Sequence, residues 1–246
     1  MGGIHASKAL SENNSIAFRL SKCTTLKGET SMKQLSKYAF CIALMALVWI
    51  SVQASAQTLT LDDYTSGAYV KRIINPHIHD LHYAALPPNS PLGAARQTLF
   101  EAGSNLDGQW STLDVDKGHL VVDAGFGCAS YISTGYGFTL AGAEAPLGLN
   151  LDGYSGFQLN FQGLATSEEL IVVITVWPQS GGIYNFEVVL PSPNPNAFSL
   201  SFPFSGFKGG GGGGLTQADV SNINFIVVQA EGPSASFGIT SFQAVN

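Results

Sequence analysis

The run Gly156-Phe157-Gln158-Leu159-Asn160-Phe161-Gln162 decides the fold class. Phe157, Leu159 and Phe161 alternate with Gln158, Asn160 and Gln162, and successive side chains of a strand point to opposite faces. The segment therefore reads as a strand with one face buried and the other wet. Likewise Tyr184, Phe186, Val188 and Leu190 oppose Asn185 and Glu187, while Phe198, Leu200 and Phe202 oppose Ser199 and Ser201. These three segments are expected to offer a polar outer face rich in amides and hydroxyls. Residues 171–176 and 225–228 are apolar on both sides, as central strands covered on both faces are.

Further strands are expected at residues 58–62, 95–101, 110–114, 119–124, 129–134, 169–177, 223–230 and 236–243, each bounded by Gly, Pro, Asn, Asp or Ser. No stretch of this region keeps a helical period. The pattern predicts an all-β domain, a two-sheet antiparallel sandwich of jelly-roll type. Residues 75–92 carry Pro76, Pro87, Pro88 and Pro91 and read as a long loop, and the six glycines at 209–214 read as a mobile one.

At the N-terminus, Lys33 and Lys37 precede an uncharged, mostly apolar run at 38–52, followed by Ala54-Ser55-Ala56. That is the three-part form of an export signal, and the run is shorter than the ~20 residues a spanning helix needs. Residues 32–56 are expected to be a helical signal peptide cleaved near Ala56, with translation from Met32 and residues 1–31 a disordered upstream extension. The mature product would be a single domain, 57–246, secreted to the periplasm or the exterior without a membrane anchor. It holds five Lys and Arg against fifteen Asp and Glu. Nucleic acid is excluded as a partner by that balance, because its affinity comes from basic residues on phosphate. Cys128 alone of the three cysteines falls in this region, and a buried, inert thiol is expected there.

Short motifs run the length of the domain: Leu61-Asp62-Asp63-Tyr64, Gly93-Ala94-Ala95-Arg96, Leu151-Asp152-Gly153-Tyr154-Ser155-Gly156-Phe157, Phe202-Pro203-Phe204-Ser205-Gly206-Phe207, Val220-Ser221-Asn222-Ile223 and Phe237-Gly238-Ile239-Thr240-Ser241-Phe242. In this order they resemble the galactose-binding-like jelly rolls of carbohydrate-binding modules and of the complex I intermediate-associated protein 30 domain family. The resemblance implies a structural calcium between the acidic first strand, Asp62 and Asp63, and an acid in the last strand. Here the last strand reads Ile239-Thr240-Ser241-Phe242, without that acid.

Pro76-His77-Ile78-His79-Asp80-Leu81-His82 is the sharpest metal-like signal, since His-x-His in an extended segment puts two imidazoles on one side. A solvated loop explains the same residues without a metal. Asn-Leu-Asp-Gly occurs at 105–108 and 150–153, where oxygen ligands on a turn suit calcium and an ordinary β-turn suits the same residues. Trp110, Trp177, Tyr131 and Tyr136 are candidate platforms for sugar rings, with amides such as Gln158 and Asn160 bonding hydroxyls. Asn185 and Glu187 share one face, but no second carboxyl stands at a spacing that identifies a glycosidase pair. The expected function is a non-catalytic, secreted binding domain for a glycan or a cell-surface or matrix component, through Gln158, Asn160, Trp177, Asn185 and Glu187. A structural or adhesive matrix protein and a polysaccharide-degrading jelly-roll enzyme stand as alternatives.

Overall fold

The structure is a computed structural model that describes residues 57–74, 78–104, 110–125, 128–165, 169–190, 194–209, 215, 217, 220–229 and 235–246. The signal segment 32–56, the extension 1–31, His77, the Asn-Leu-Asp-Gly copy at 105–108 and glycines 210–214 lie outside the described residues.

The strands are β1 (Thr58–Asp62), β2 (Tyr69–Ile74), β3 (Ile78–Ala85), β4 (Ala95–Ser104), β5 (Trp110–Asp116), β6 (His119–Ala124), β7 (Cys128–Phe138), β8 (Gly156–Ala165), β9 (Leu170–Pro178), β10 (Tyr184–Leu190), β11 (Phe198–Pro203), β12 (Lys208–Gly209), β13 (Val220–Gln229) and β14 (Ala235–Val245). They form two antiparallel sheets. The first runs β11-β8-β14-β6-β5-β2, with β1 also paired to β14, and the second runs β12-β10-β9-β13-β7-β4-β3. The chain crosses repeatedly from one sheet to the other, as in a jelly roll.

The alternation that named the fold also builds the core. Phe157, Leu159 and Phe161 of the first sheet are buried, as are Val172, Ile174 and Val176 of the second. The Phe157 ring meets Phe204 edge-on at 4.9 Å and tilts against Phe242 at 5.3 Å. Removing so enclosed an aromatic costs about 3–5 kcal/mol, the lost transfer energy plus a cavity. Cys128 is buried and free, and its thiol donates to the Trp110 carbonyl oxygen at 3.4 Å.

Two expectations are corrected. Residues 75–92 are not a continuous loop, because β3 occupies Ile78–Ala85 and pairs with β4 along its whole length, His79 opposite Glu101 and Ala85 opposite Ala95. The prolines flank that strand and leave its backbone N–H groups free to pair. The three alternating segments also do not share one outer face. β8 and β11 pair in the first sheet, Asn160 opposite Ser199, while β10 pairs with β9 in the second. Alternation names the wet side of a strand and not its neighbours.

Candidate functional site

Three of the metal candidates, Asp62, Asp63 and His82, take structural roles. Asp62 is buried, and its Oδ2 accepts from Arg96 Nη1 at 2.8 Å and from the Tyr136 hydroxyl at 2.9 Å. Its Oδ1 accepts from Tyr64 N at 2.9 Å, which holds Tyr64 at φ 57. Arg96 Nη2 donates to the carbonyl oxygens of Ser66 at 2.9 Å and Gly67 at 2.8 Å, and its guanidinium lies 5.3 Å from the centre of the Tyr64 ring. Burial works against the charge of Arg96, but Asp62 and then Tyr136 more than restore it, so its pKa is pushed up. Burial and then the Asp62 charge hold both Tyr136 and Tyr64 well above the usual phenol range.

Calcium requires six to eight oxygens around an open centre. Here the oxygens that would offer themselves, the Asp62 carboxylate and two loop carbonyls, are engaged by a guanidinium with no exposed surface. Its positive charge would repel a divalent ion. Asp63 is turned to Thr65, accepting from Thr65 N at 3.0 Å and Thr65 Oγ1 at 2.6 Å, and the Thr65 hydroxyl lowers its pKa. These residues do not fit the calcium that the resemblance implied.

Asp80 and His82 of the histidine motif stitch two edge strands together. Ala84 is buried, so Asp80 and His82 face inward on β3, whereas His79 and Leu81 face outward. His79 and His82 thus sit on opposite sides of the strand and cannot close on one ion. Asp80 accepts from the Tyr69 hydroxyl and pairs with Lys71 Nζ at 3.2 Å, both on β2. His82 stacks on Tyr69 with centroids 4.2 Å apart. The Tyr69 hydroxyl and then Lys71 draw the Asp80 pKa down against a partial desolvation cost. Among the described residues, no group of three or more His, Cys, Asp or Glu is placed to hold a metal. In the Asn150 to Gly153 turn, Asn150 Oδ1 accepts from Asp152 N at 2.7 Å and Gly153 has φ 94, the β-turn reading.

The outer face of the second sheet carries the candidate site. Cross-strand register aligns Asn185 of β10, Thr175 of β9, Asn224 of β13, Gly135 of β7, Gln97 of β4 and Tyr83 of β3 in one row. Six strands at about 4.8 Å spacing make the row about 24 Å long. Gln97 Nε2 donates to the Tyr83 hydroxyl at 2.6 Å, which leaves that hydroxyl its own proton. Asn224 Nδ2 donates to Ser133 Oγ at 2.9 Å, from the same face.

Two irregularities in the ladder turn further side chains onto this row. Ala95 pairs with Phe138 and Arg96 with Tyr136, so Gly137 is the extra residue of a bulge, at φ 98. A bulge shifts the side-chain alternation by one, and Phe138 therefore turns outward. Its ring comes within 3.2 Å of where a Cβ on Gly135 would stand, and 6.1 Å from the Tyr83 ring, edge-on. A second shift, between Val220 and Asn222 of β13, sets Asn222 opposite Trp177. Asn222 Nδ2 donates to the carbonyl oxygens of Tyr136 and Gly137, 3.2 Å each, and a Cβ on Gly137 would collide with that amide. The chain then folds back, with Ala145 N donating to Gly137 O at 2.8 Å and Glu144 bridging to Phe138. The result is a cleft of about 380 Å³ lined by Phe138, Glu144, Trp177, Asn222 and Asn224 among others.

Of the residues expected to bind, Trp177, Asn185 and Glu187 come together on this face. Gln158 and Asn160 lie on the outer face of the opposite sheet. There, Asn160 Oδ1 accepts from Gln158 Nε2 at 2.8 Å and Ser199 Oγ at 2.6 Å, while Asn160 Nδ2 donates to Ser241 Oγ at 2.8 Å. These amide groups are engaged with one another. Tyr136 is buried in the core, and Trp110 lies on the first sheet beneath Arg72, 4.7 Å from its ring centre. Sequence reading missed Gln97, Tyr83, Phe138, Glu144, Asn222 and Asn224. The legible signal was Gly135-Tyr136-Gly137-Phe138, since glycine inside a strand marks a bulge or a close approach.

No protein-family model matches the chain, and no curated protein sequence matches it. Among solved structures it is similar to a family 11 carbohydrate-binding module from Clostridium thermocellum, in complex with a β-1,3-1,4-mixed-linked tetrasaccharide. The identity is 10%, over 76% of this chain and 94% of that one, with a TM-score of 0.38. A family 30 carbohydrate-binding module of a Clostridium thermocellum cellulosomal cellulase is similar at 10% identity, over 76% and 97% of the two chains, TM-score 0.36. The agarase AgWH50C is similar at 10% identity, over 76% of this chain and 24% of that one, TM-score 0.42.

Proposed function

We propose that the protein is exported and acts as a binding domain for a glycan chain, held across the outer face of the second sheet. The observation that carries this reading is the row of Asn185, Thr175, Asn224, Gln97 and Tyr83 with Gly135 at its centre, flanked by the aromatic rings of Trp177 and Phe138. Sugar rings present apolar C–H faces that pack on aromatic side chains, and hydroxyls that pair with amides and other hydroxyls. A row about 24 Å long suits several linked sugars better than a single one. The groups in the row are uncharged, which suits hydrogen bonding to hydroxyls and not proton transfer at neutral pH.

The test is a glycan array on the mature domain, followed by calorimetry with Trp177→Ala. A glycan hit whose affinity falls about tenfold in the variant supports the reading, since a stacked aromatic contributes about 1 kcal/mol beyond its buried area. An undiminished affinity in the variant, or no hit on the array, would overturn it. Export is tested by fractionating cells and sequencing the mature N-terminus, which is expected at Gln57. A product that begins at residues 1–32 and stays in the cytoplasm contradicts it.

A further inference from the structure

Building on the glycan reading, we infer that the cleft selects uncharged glycans and turns away chains that carry uronate or sulfate groups. The evidence is the charge arrangement on the outer face of the second sheet. Glu144 stands exposed in the cleft wall, and Glu187 stands exposed on β10 two residues from Asn185, on the same side of the strand. Glu101 lies further along β4. Among the described residues, the basic side chains on this face are Lys208, opposite Asn185 at the outer edge, and His79, opposite Glu101.

Recognition of carboxylate or sulfate calls for bidentate arginine or several converging cations. Arg96 points the other way, into the core, with no exposed surface, and Arg72 lies on the opposite sheet over Trp110. Among the described residues, then, Glu144 in the cleft wall and Glu187, two residues off the row, place carboxylates beside the path of an anionic chain, and a single lysine sits at one end. Two unit negative charges about 7 Å apart in water repel by roughly a threefold loss of affinity. Opposing both Glu144 and Glu187 would cost an anionic chain roughly sevenfold, on top of the missing attraction.

The test uses the mature domain on an array of neutral glucans, galactans and mannans beside alginate, homogalacturonan and sulfated galactans. The best neutral hit is then compared with the same chain oxidised at its primary hydroxyls to uronates. Binding confined to neutral chains is expected, and Glu144→Gln with Glu187→Gln should recover roughly sevenfold toward the oxidised chain in low salt. Tight binding of an anionic chain by the unaltered protein would overturn this inference and leave glycan binding intact. Neutral-only binding with no recovery in the double variant would overturn the assignment to Glu144 and Glu187. An array with no hits would instead remove the glycan reading itself.

Discussion

Arg96→Met is expected to be the most damaging single change of a polar side chain in the domain. It removes the 2.8 Å pairing to Asp62 and the bonds of 2.9 and 2.8 Å to the Ser66 and Gly67 carbonyls. Among the described residues, Asp62 is left buried with the Tyr136 hydroxyl and Tyr64 N as partners. Breaking a buried pair from one side costs about 3–5 kcal/mol, because the surviving charge is stranded in low dielectric. For a domain of this length each kcal/mol lowers Tm by about 2–4 °C, so a drop of roughly 12 °C is expected. Scanning calorimetry at pH 7 reads it directly. Arg96→Met combined with Asp62→Asn should recover part of the loss, since the two sites form one network and their effects are not additive. A single variant that loses less than about 1 kcal/mol, or a double variant that loses the full sum of the two, would refute the claim that Arg96 and Asp62 form a buried, mutually dependent pair.

Gly135→Ala puts a methyl 3.2 Å from the Phe138 ring and 3.3 Å from Gln97 Oε1, so both must shift by a few tenths of an ångström. Glycan affinity is expected to fall several-fold while Tm changes by only a few degrees, because Ala itself suits a strand better than Gly by about 0.5–1 kcal/mol; calorimetry and a melting curve report the two. Asp80 has its pKa lowered by Tyr69 and Lys71, so its contribution to stability is full above the ordinary 3.8 and fades as pH falls through the lower folded value. Asp80→Asn should therefore flatten the acid limb of the stability curve below about pH 4 in urea titrations; an unchanged limb contradicts the stitch between β2 and β3. Added calcium or zinc should leave the Tm of the protein unchanged, and EDTA likewise. A metal-dependent rise of several degrees would show a site that the Arg96 and His82 contacts argue against.

Much of the fold was legible because β8, β10 and β11 alternate cleanly, and β1 and β6 fall on the expected boundaries. The strands that escaped, β2, β3 and the two-residue β12, are edge strands. Tyr69-Val70-Lys71-Arg72-Ile73-Ile74 buries Ile73 but exposes Val70 and Ile74, so hydropathy does not separate its two faces. In β3 the histidines and Asp80 look like loop residues until Tyr69 and Lys71 are known to meet them across the sandwich edge. The site was half legible for a related reason. Asn185 and Trp177 were marked by composition, but their partners come from β4, β7 and β13, up to about ninety residues away, through a register that alternation does not encode. The bulge at Gly137, which turns Phe138 outward, shifts the alternation by one and defeats a strict period of two.

The central claim is that ligand is held on the second sheet's outer face and not on the first. Titration calorimetry of one array-identified glycan against Asn224→Ala and, separately, Asn160→Ala tests it most directly. The account predicts that Asn224→Ala weakens binding about five- to tenfold, the loss of roughly one hydrogen bond, while Asn160→Ala binds as the unaltered protein does. The reverse order, with affinity lost at Asn160 and kept at Asn224, would contradict it.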